Sequence, residues 1–131
     1  ELIVFTGDTL FSAGCGKLFE GSYEEMYFSL EKLKNLPDET KIYPGHEYTE
    51  NNLKFALSLE PDNQNIISKM NEVKALRENF LPTIPSTIKL EKQINPFFRT
   101  NSITIQKNLN ILSTDPIEIF KKIRQAKDCF R

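Results

Sequence analysis

The run Val4-Phe5-Thr6-Gly7-Asp8-Thr9-Leu10-Phe11-Ser12-Ala13-Gly14-Cys15-Gly16-Lys17 constrains this chain more than any other stretch. An apolar segment stops abruptly at Gly-Asp, and small residues fill the loop that follows. Such a pattern delivers one carboxylate to the end of a strand and keeps the backbone close to whatever that carboxylate holds. The same Gly-Asp-Thr chemistry also makes an ordinary strand-ending turn. A second short element, Tyr43-Pro44-Gly45-His46-Glu47-Tyr48-Thr49, repeats the arrangement, ending an apolar strand with a potential ligand.

Taken in order, residues 1–6 form a continuous apolar run, the pattern of a strand buried on both faces. Glu1 stands directly against that run, and the chain has a single histidine; together these give the expectation that something upstream is missing. The loop from Gly7 to Gly21 carries four of the five glycines. Ser22 with Glu25 three residues on forms a capping box for a helix whose Tyr23, Met26, Tyr27, Leu30 and Leu33 share a face, with Pro37 as its stop. Lys41-Ile42-Tyr43 is a second strand, and strand–loop–helix–strand is half of an α/β layered unit.

Beyond His46 the sequence predicts helices and no further convincing strand. Leu53, Ala56 and Leu57 mark one helix, ending at Pro61. Asp62 is placed to cap the next, with a stripe of Ile66, Ile67, Met70, Val73, Leu76 and Phe80. Prolines at 82 and 85 force residues 81–85 to be extended. A short helix over 86–93 stops at Asn95-Pro96, and residues 101–112 fit a strand or a surface helix equally. Asp115-Pro116-Ile117-Glu118 is a strong helix start, with Phe120 and Ile123 on the buried side. Residues 1–46 thus read as part of an α/β unit and residues 47–131 as an all-helical region.

Composition excludes several classes. At 131 residues with 39% hydrophobic and 27% charged residues, the chain has the make-up of a globular domain. A formal charge of −1 gives no electrostatic case for nucleic acid or an anionic membrane. No apolar run approaches the roughly 20 residues of a bilayer span, and no signal-peptide pattern opens the chain. Cys15 and Cys129 lack partners at metal-ligand spacing and read as reduced thiols of a reducing, cytoplasmic compartment, an organellar form being compatible; a single distant disulfide is the other arrangement.

Asp8 and His46 each end a strand of one sheet, where α/β proteins build their sites. A carboxylate and an imidazole there serve as two metal ligands or as an acid–base pair; a lone histidine in a Pro-Gly turn also serves as a plain surface residue. A metal needs three or four protein ligands, and these are two. Near the C-terminus, Arg124 and Lys127 are three apart and share a helix face. With Lys121 and Lys122 they also make an ordinary solvated basic face.

Several segments carry a resemblance: Phe5-Thr6-Gly7-Asp8-Thr9-Leu10-Phe11, Ala13-Gly14-Cys15-Gly16-Lys17, Gly45-His46-Glu47-Tyr48-Thr49, Asn51 to Ala56, Pro85-Ser86-Thr87, Asn95-Pro96-Phe97-Phe98-Arg99 and Arg124 to Asp128. In this order, along nearly the whole chain, they resemble glyoxalase II, the hydroxyacylglutathione hydrolases. The resemblance implies an α/β fold: the C-terminal half of a metallo-β-lactamase αββα sandwich followed by a helical glutathione-binding domain. It implies two divalent metal ions, zinc foremost with iron or manganese as alternatives, bridged by Asp8 and ligated by His46. A bridging carboxylate offsets the repulsion of two dications about 3.5–4 Å apart. Metal-bound hydroxide would attack the thioester of S-D-lactoylglutathione, giving glutathione and D-lactate.

By the same resemblance Lys17 and Tyr48 contact glutathione, and Arg124 with Lys127 grips its glycine carboxylate, favouring glutathione over trypanothione. Phe19 stands where the family commonly has tyrosine, which removes one hydroxyl from that contact set. The family's Thr-His-x-His-x-Asp-His motif and its further histidine are not in this sequence, so the expectation is that this piece alone is inactive, and that the full-length enzyme is a monomer. The other readings are a persulfide dioxygenase-like relative with one iron, told apart by oxygen uptake, and a non-catalytic module that binds glutathione or a partner.

Overall fold

The computed structural model of the chain describes residues 2–17 and 22–130. Its frame is the parallel pair of β1 (Ile3–Gly7) and β4 (Lys41–Pro44), matched Ile3 to Lys41, Val4 to Ile42 and Phe5 to Tyr43, with a register slip before Gly7 meets Pro44. Parallel strands need a long crossover, and α1 (Tyr23–Lys34) is part of it. The Ser22 Oγ accepts from the Glu25 amide at 3.1 Å, as the capping box requires. Leu30 is fully buried, and Tyr23, Met26, Tyr27 and Leu33 pack on the core beside it.

Two short pairings complete the β structure. The loop after Asp8 contains a hairpin, β2 (Leu10–Phe11) against β3 (Gly14–Cys15), turned through Ser12 and Ala13, with Ala13 at φ 61°. β5 (Ser86–Thr87) pairs antiparallel with β4, giving a sheet ordered β1-β4-β5. The expectation of an all-helical region beyond residue 46 is corrected by β5. The extended segment dictated by Pro82 and Pro85 brings Ser86 beside Ile42, and a two-residue strand has no periodicity to read.

A second correction concerns β1. The apolar run predicts burial on both faces, yet Ile3 is 43% and Phe5 80% exposed while Thr6 is buried. β1 is the edge of the sheet among the described residues, so alternation puts Val4 and Thr6 inward and their neighbours outward.

The helices follow their caps. α2 (Thr49–Leu59) buries Leu53, Phe55, Ala56 and Leu59. α3 (Gln64–Glu78) is capped by Asn63, whose Oδ1 accepts from the Asn65 and Ile66 amides at 3.0 and 3.2 Å; the expected cap, Asp62, lies one residue too early for that reach. α4 (Ile88–Ile94) is capped by Thr87 and followed by a 3₁₀ turn, Pro96–Phe98. Residues 101–112 resolve as α5 (Ile103–Asn108), because Ser102 caps the Ile105 amide. α6 (Pro116–Cys129) begins at the Asp115-Pro116 signal and buries Ile119, Phe120, Ile123 and Arg124.

One core joins both halves of the chain: Leu10, Leu30 and Ile42 meet Phe55, Phe97, Phe98 and Phe120. Phe97 and Phe120 pack edge to face at 5.7 Å. Among the described residues no helix is long and apolar enough to cross a membrane.

Candidate functional site

Parallel strands β1 and β4 end side by side, so the residues that follow them converge. The Gly45 amide donates to the Gly7 carbonyl at 2.8 Å, tying the two loops together. Gly7 itself is at φ 52°, left-handed backbone that glycine adopts without a Cβ clash. The result is direct contact between the two candidate ligands: His46 Nδ1 lies 2.7 Å from Asp8 Oδ1. Both side chains remain open to solvent. Phe11 of the hairpin packs edge-on to both neighbouring rings, 4.9 Å from Tyr48 and 6.1 Å from His46, while His46 and Tyr48 stack in parallel at 5.1 Å.

From this pair a cleft of about 360 Å³ runs past Phe11 and Tyr48 to Lys17, Arg124 and Lys127. Close approach makes it: a Cβ on Gly16 would lie 2.0 Å from the Asp8 carbonyl oxygen, so only glycine lets the loop fold back there. Arg124 is 2% exposed. Its Nη1 donates to the carbonyls of Cys15 at 2.8 Å and Gly16 at 3.3 Å, and its Nε and Nη2 to Asp128 Oδ1. The guanidinium thus holds the cleft wall as well as charging it. Burial, reinforced by Arg124 and Lys17, pushes the Lys127 ammonium below the ordinary lysine range, the field of a site short of anions. The Cys15 thiol is pushed up to about 12 by burial, so it is an inert wall residue at neutral pH.

The structure therefore brings together Asp8, His46, Tyr48, Lys17, Arg124 and Lys127 around one cleft. Phe19 lies outside the described residues. Sequence reasoning missed Phe11, Asn52 and Glu47. Asn52 Nδ2 donates to the Ser12 carbonyl at 3.2 Å and lines the cleft. Glu47, between His46 and Tyr48, accepts from the Thr83 hydroxyl at 2.6 Å and the Thr49 hydroxyl at 2.7 Å. Burial pushes its carboxyl up, but these bonds and the Thr83 amide outweigh it and hold Glu47 below the usual carboxylate range. Its signal was a charged residue between two site residues, readable as an anchor only with Thr83 in view.

As a metal centre the donor set is partial. An imidazole nitrogen and a carboxylate oxygen suit zinc, iron or manganese, and they already converge. Among the described residues no third His, Cys, Asp or Glu joins them.

Fold and site define the chain as a mixed α/β protein with a strand-end cleft, an acid–imidazole pair at one end and cations at the other. Residues 47–130 match the model of the family described as hydroxyacylglutathione hydrolase C-terminus. The chain is 50% identical over 128 residues to a hydroxyacylglutathione hydrolase of Bartonella tribocorum, covering 98% of this chain and 51% of that protein. It is 47% identical over 132 residues to the one from Psychromonas ingrahamii, covering 98% and 52%. For that of Aliivibrio fischeri the figures are 48% over 129 residues, covering 97% and 51%. The chain belongs to the hydroxyacylglutathione hydrolase family, and it spans about half the length of the curated relatives it matches.

Proposed function

We propose that the full-length protein containing this chain hydrolyses S-2-hydroxyacylglutathione thioesters, S-D-lactoylglutathione among them, to glutathione and the 2-hydroxy acid. The observation that carries the reading is the single cleft joining the Asp8–His46 pair to Lys17, Arg124 and Lys127. A thioester of an anionic peptide needs both ends: donors where the carbonyl reacts and cations where the peptide carboxylate sits.

In this reading Asp8 and His46 hold part of a binuclear metal site within a metallo-β-lactamase sandwich, the remaining ligands coming from the rest of the full-length protein. Such a centre supplies water activation and carbonyl polarisation. This chain's residues do the rest. Lys17 and Lys127 attract and orient the glycine carboxylate, each charge-assisted bond contributing about 1.5–3 kcal/mol. Arg124 adds to the positive field and keeps the Cys15–Gly16 wall in place. Tyr48, stacked on His46, narrows the cleft and offers its hydroxyl to the peptide.

The test compares the full-length protein with the isolated 131-residue chain, each loaded with zinc, iron or manganese, for hydrolysis of S-D-lactoylglutathione. Turnover is expected from the full-length protein only, with two metals per chain falling in Asp8→Ala. Lys127→Ala is expected to raise KM about tenfold or more, from loss of one charge-assisted bond, with a smaller change in kcat. Full-length protein that binds glutathione without turnover overturns the reading in favour of a binding module.

A further inference from the structure

Behind the cleft wall lies a buried polar hub whose residues, Glu91, Asn95 and Ser86, do not line the cleft. Glu91 on α4 is fully buried, and its carboxylate spends both oxygens. Oε1 accepts from the Ala13 amide at 2.8 Å and from Asn95 Nδ2 at 2.9 Å; Oε2 accepts from the Ser86 hydroxyl at 2.6 Å. Asn95 Nδ2 also reaches the carbonyls of Gly14 at 3.0 Å and Phe11 at 3.4 Å. Two side chains of one helical turn thus grip three residues of the β2–β3 hairpin, at separations of 78 to 84 in sequence.

What they grip is the strained part. Ala13 sits at φ 61°, a conformation that disfavours a residue with a Cβ and persists only where surroundings hold it. The hairpin arms then lead to both ends of the cleft. One arm ends in Phe11, whose ring supports His46 and Tyr48. The other ends in Cys15 and Gly16, whose carbonyls receive Arg124, and then in Lys17.

We infer that Glu91, with Asn95, is a positioning residue that fixes the β2–β3 hairpin and so sets the distance between the His46 end of the cleft and its cationic end. Ser86 makes the control, since its hydroxyl bonds the far oxygen of Glu91 rather than the one that holds the hairpin. Glu91→Met keeps roughly the length but has no oxygen to accept from the Ala13 amide, Asn95 or Ser86, whereas a glutamine would still satisfy all three because the Ser86 hydroxyl accepts as well as donates.

The kinetic readout rests on the thioesterase reading; the exchange readout does not. In the full-length protein, well below the melting temperature of each variant, Glu91→Met is expected to raise KM for S-D-lactoylglutathione about threefold to tenfold. Ser86→Ala is expected to lower the melting temperature with KM unchanged. Amide hydrogen exchange at Ala13 is expected to match the core in the unmutated protein and to accelerate in Glu91→Met. Equal KM in wild type and Glu91→Met, or a KM shift of the same size in Ser86→Ala, overturns the inference by showing a merely structural role. So does an Ala13 amide that exchanges in the unmutated protein as fast as an exposed loop, a result that needs no folded variant. Absence of thioester turnover in the wild type sinks the proposed function alone, and the exchange rates then decide this inference.

Discussion

Two buried or half-buried glutamates shape the site from outside it, and their titrations run in opposite directions. Glu47 is held below the usual carboxylate range by Thr83 and Thr49 against the push of burial. A carboxyl whose folded pKa is lowered stabilises the fold above its unfolded value, and that contribution fades as pH falls through the folded one. Glu47→Gln is therefore expected to cost about 1–3 kcal/mol at pH 7. The gap to wild type should close below the ordinary value of 4.5, which paired thermal melts from pH 7 to pH 3 will measure. A constant gap across that range means the bonds do not depend on the charge. Glu91 behaves the other way. Burial raises its carboxyl despite Ser86, Asn95 and the Ala13 amide, so its contribution is fullest below the ordinary carboxylate value and declines as pH rises above it. The fold keeps this buried carboxyl because the hairpin amide at Ala13 needs a buried acceptor.

At the scale of elements, α6 links the core to the site: Phe120 and Ile123 face inward while Arg124 and Lys127 charge the cleft. Asp115 Oδ1 caps the Ile117 amide at 3.0 Å. Asp115→Ala should cost about 1 kcal/mol of stability and leave KM for the thioester unchanged, whereas Phe120→Ala, emptying a site that is fully buried, should cost about 3–5 kcal/mol. Chemical denaturation of both variants separates the two. Elements of this kind were legible in the sequence because a cap is local: Ser22 with Glu25, and Asp115 with Pro116, announce a helix within four residues. The off-by-one cap at Asn63 shows the grain of such reading, since Asp62 and Asn63 are both competent and only the turn before them decides. β5 and the β2–β3 hairpin were not legible. Two-residue strands exist through partners, and two helices, α2 and α3, separate Ile42 from Ser86 in the chain. The acid–imidazole pair was legible from strand ends alone, yet Glu91 was not, although it shares the buried register of Ile88 and Ile94; a charge on an apolar stripe is a signal that needs its receiving amides to be interpreted.

For the whole molecule, the unsettled surface is the outer face of β1. Ile3 and Phe5 are 43% and 80% exposed, and the Phe5 ring packs on Tyr43 at 5.7 Å. An edge strand with such a face is a template for pairing. Nothing in the described residues covers it, and the chain spans only half the length of its relatives. The isolated 131-residue chain is accordingly expected to self-associate as its concentration rises, and Phe5→Lys to return it toward monomer, both read by sedimentation velocity. In the full-length protein the same substitution should act with the opposite sense, lowering the melting temperature because the αββα sandwich proposed above buries that face against further chain. A buried apolar side chain replaced by an unpaired charge costs several kcal/mol, an exposed one almost nothing. Comparing the Phe5→Lys melting shift in the two lengths of protein thus measures whether further chain covers the outer face of β1, and an equally small shift in both rejects the sandwich.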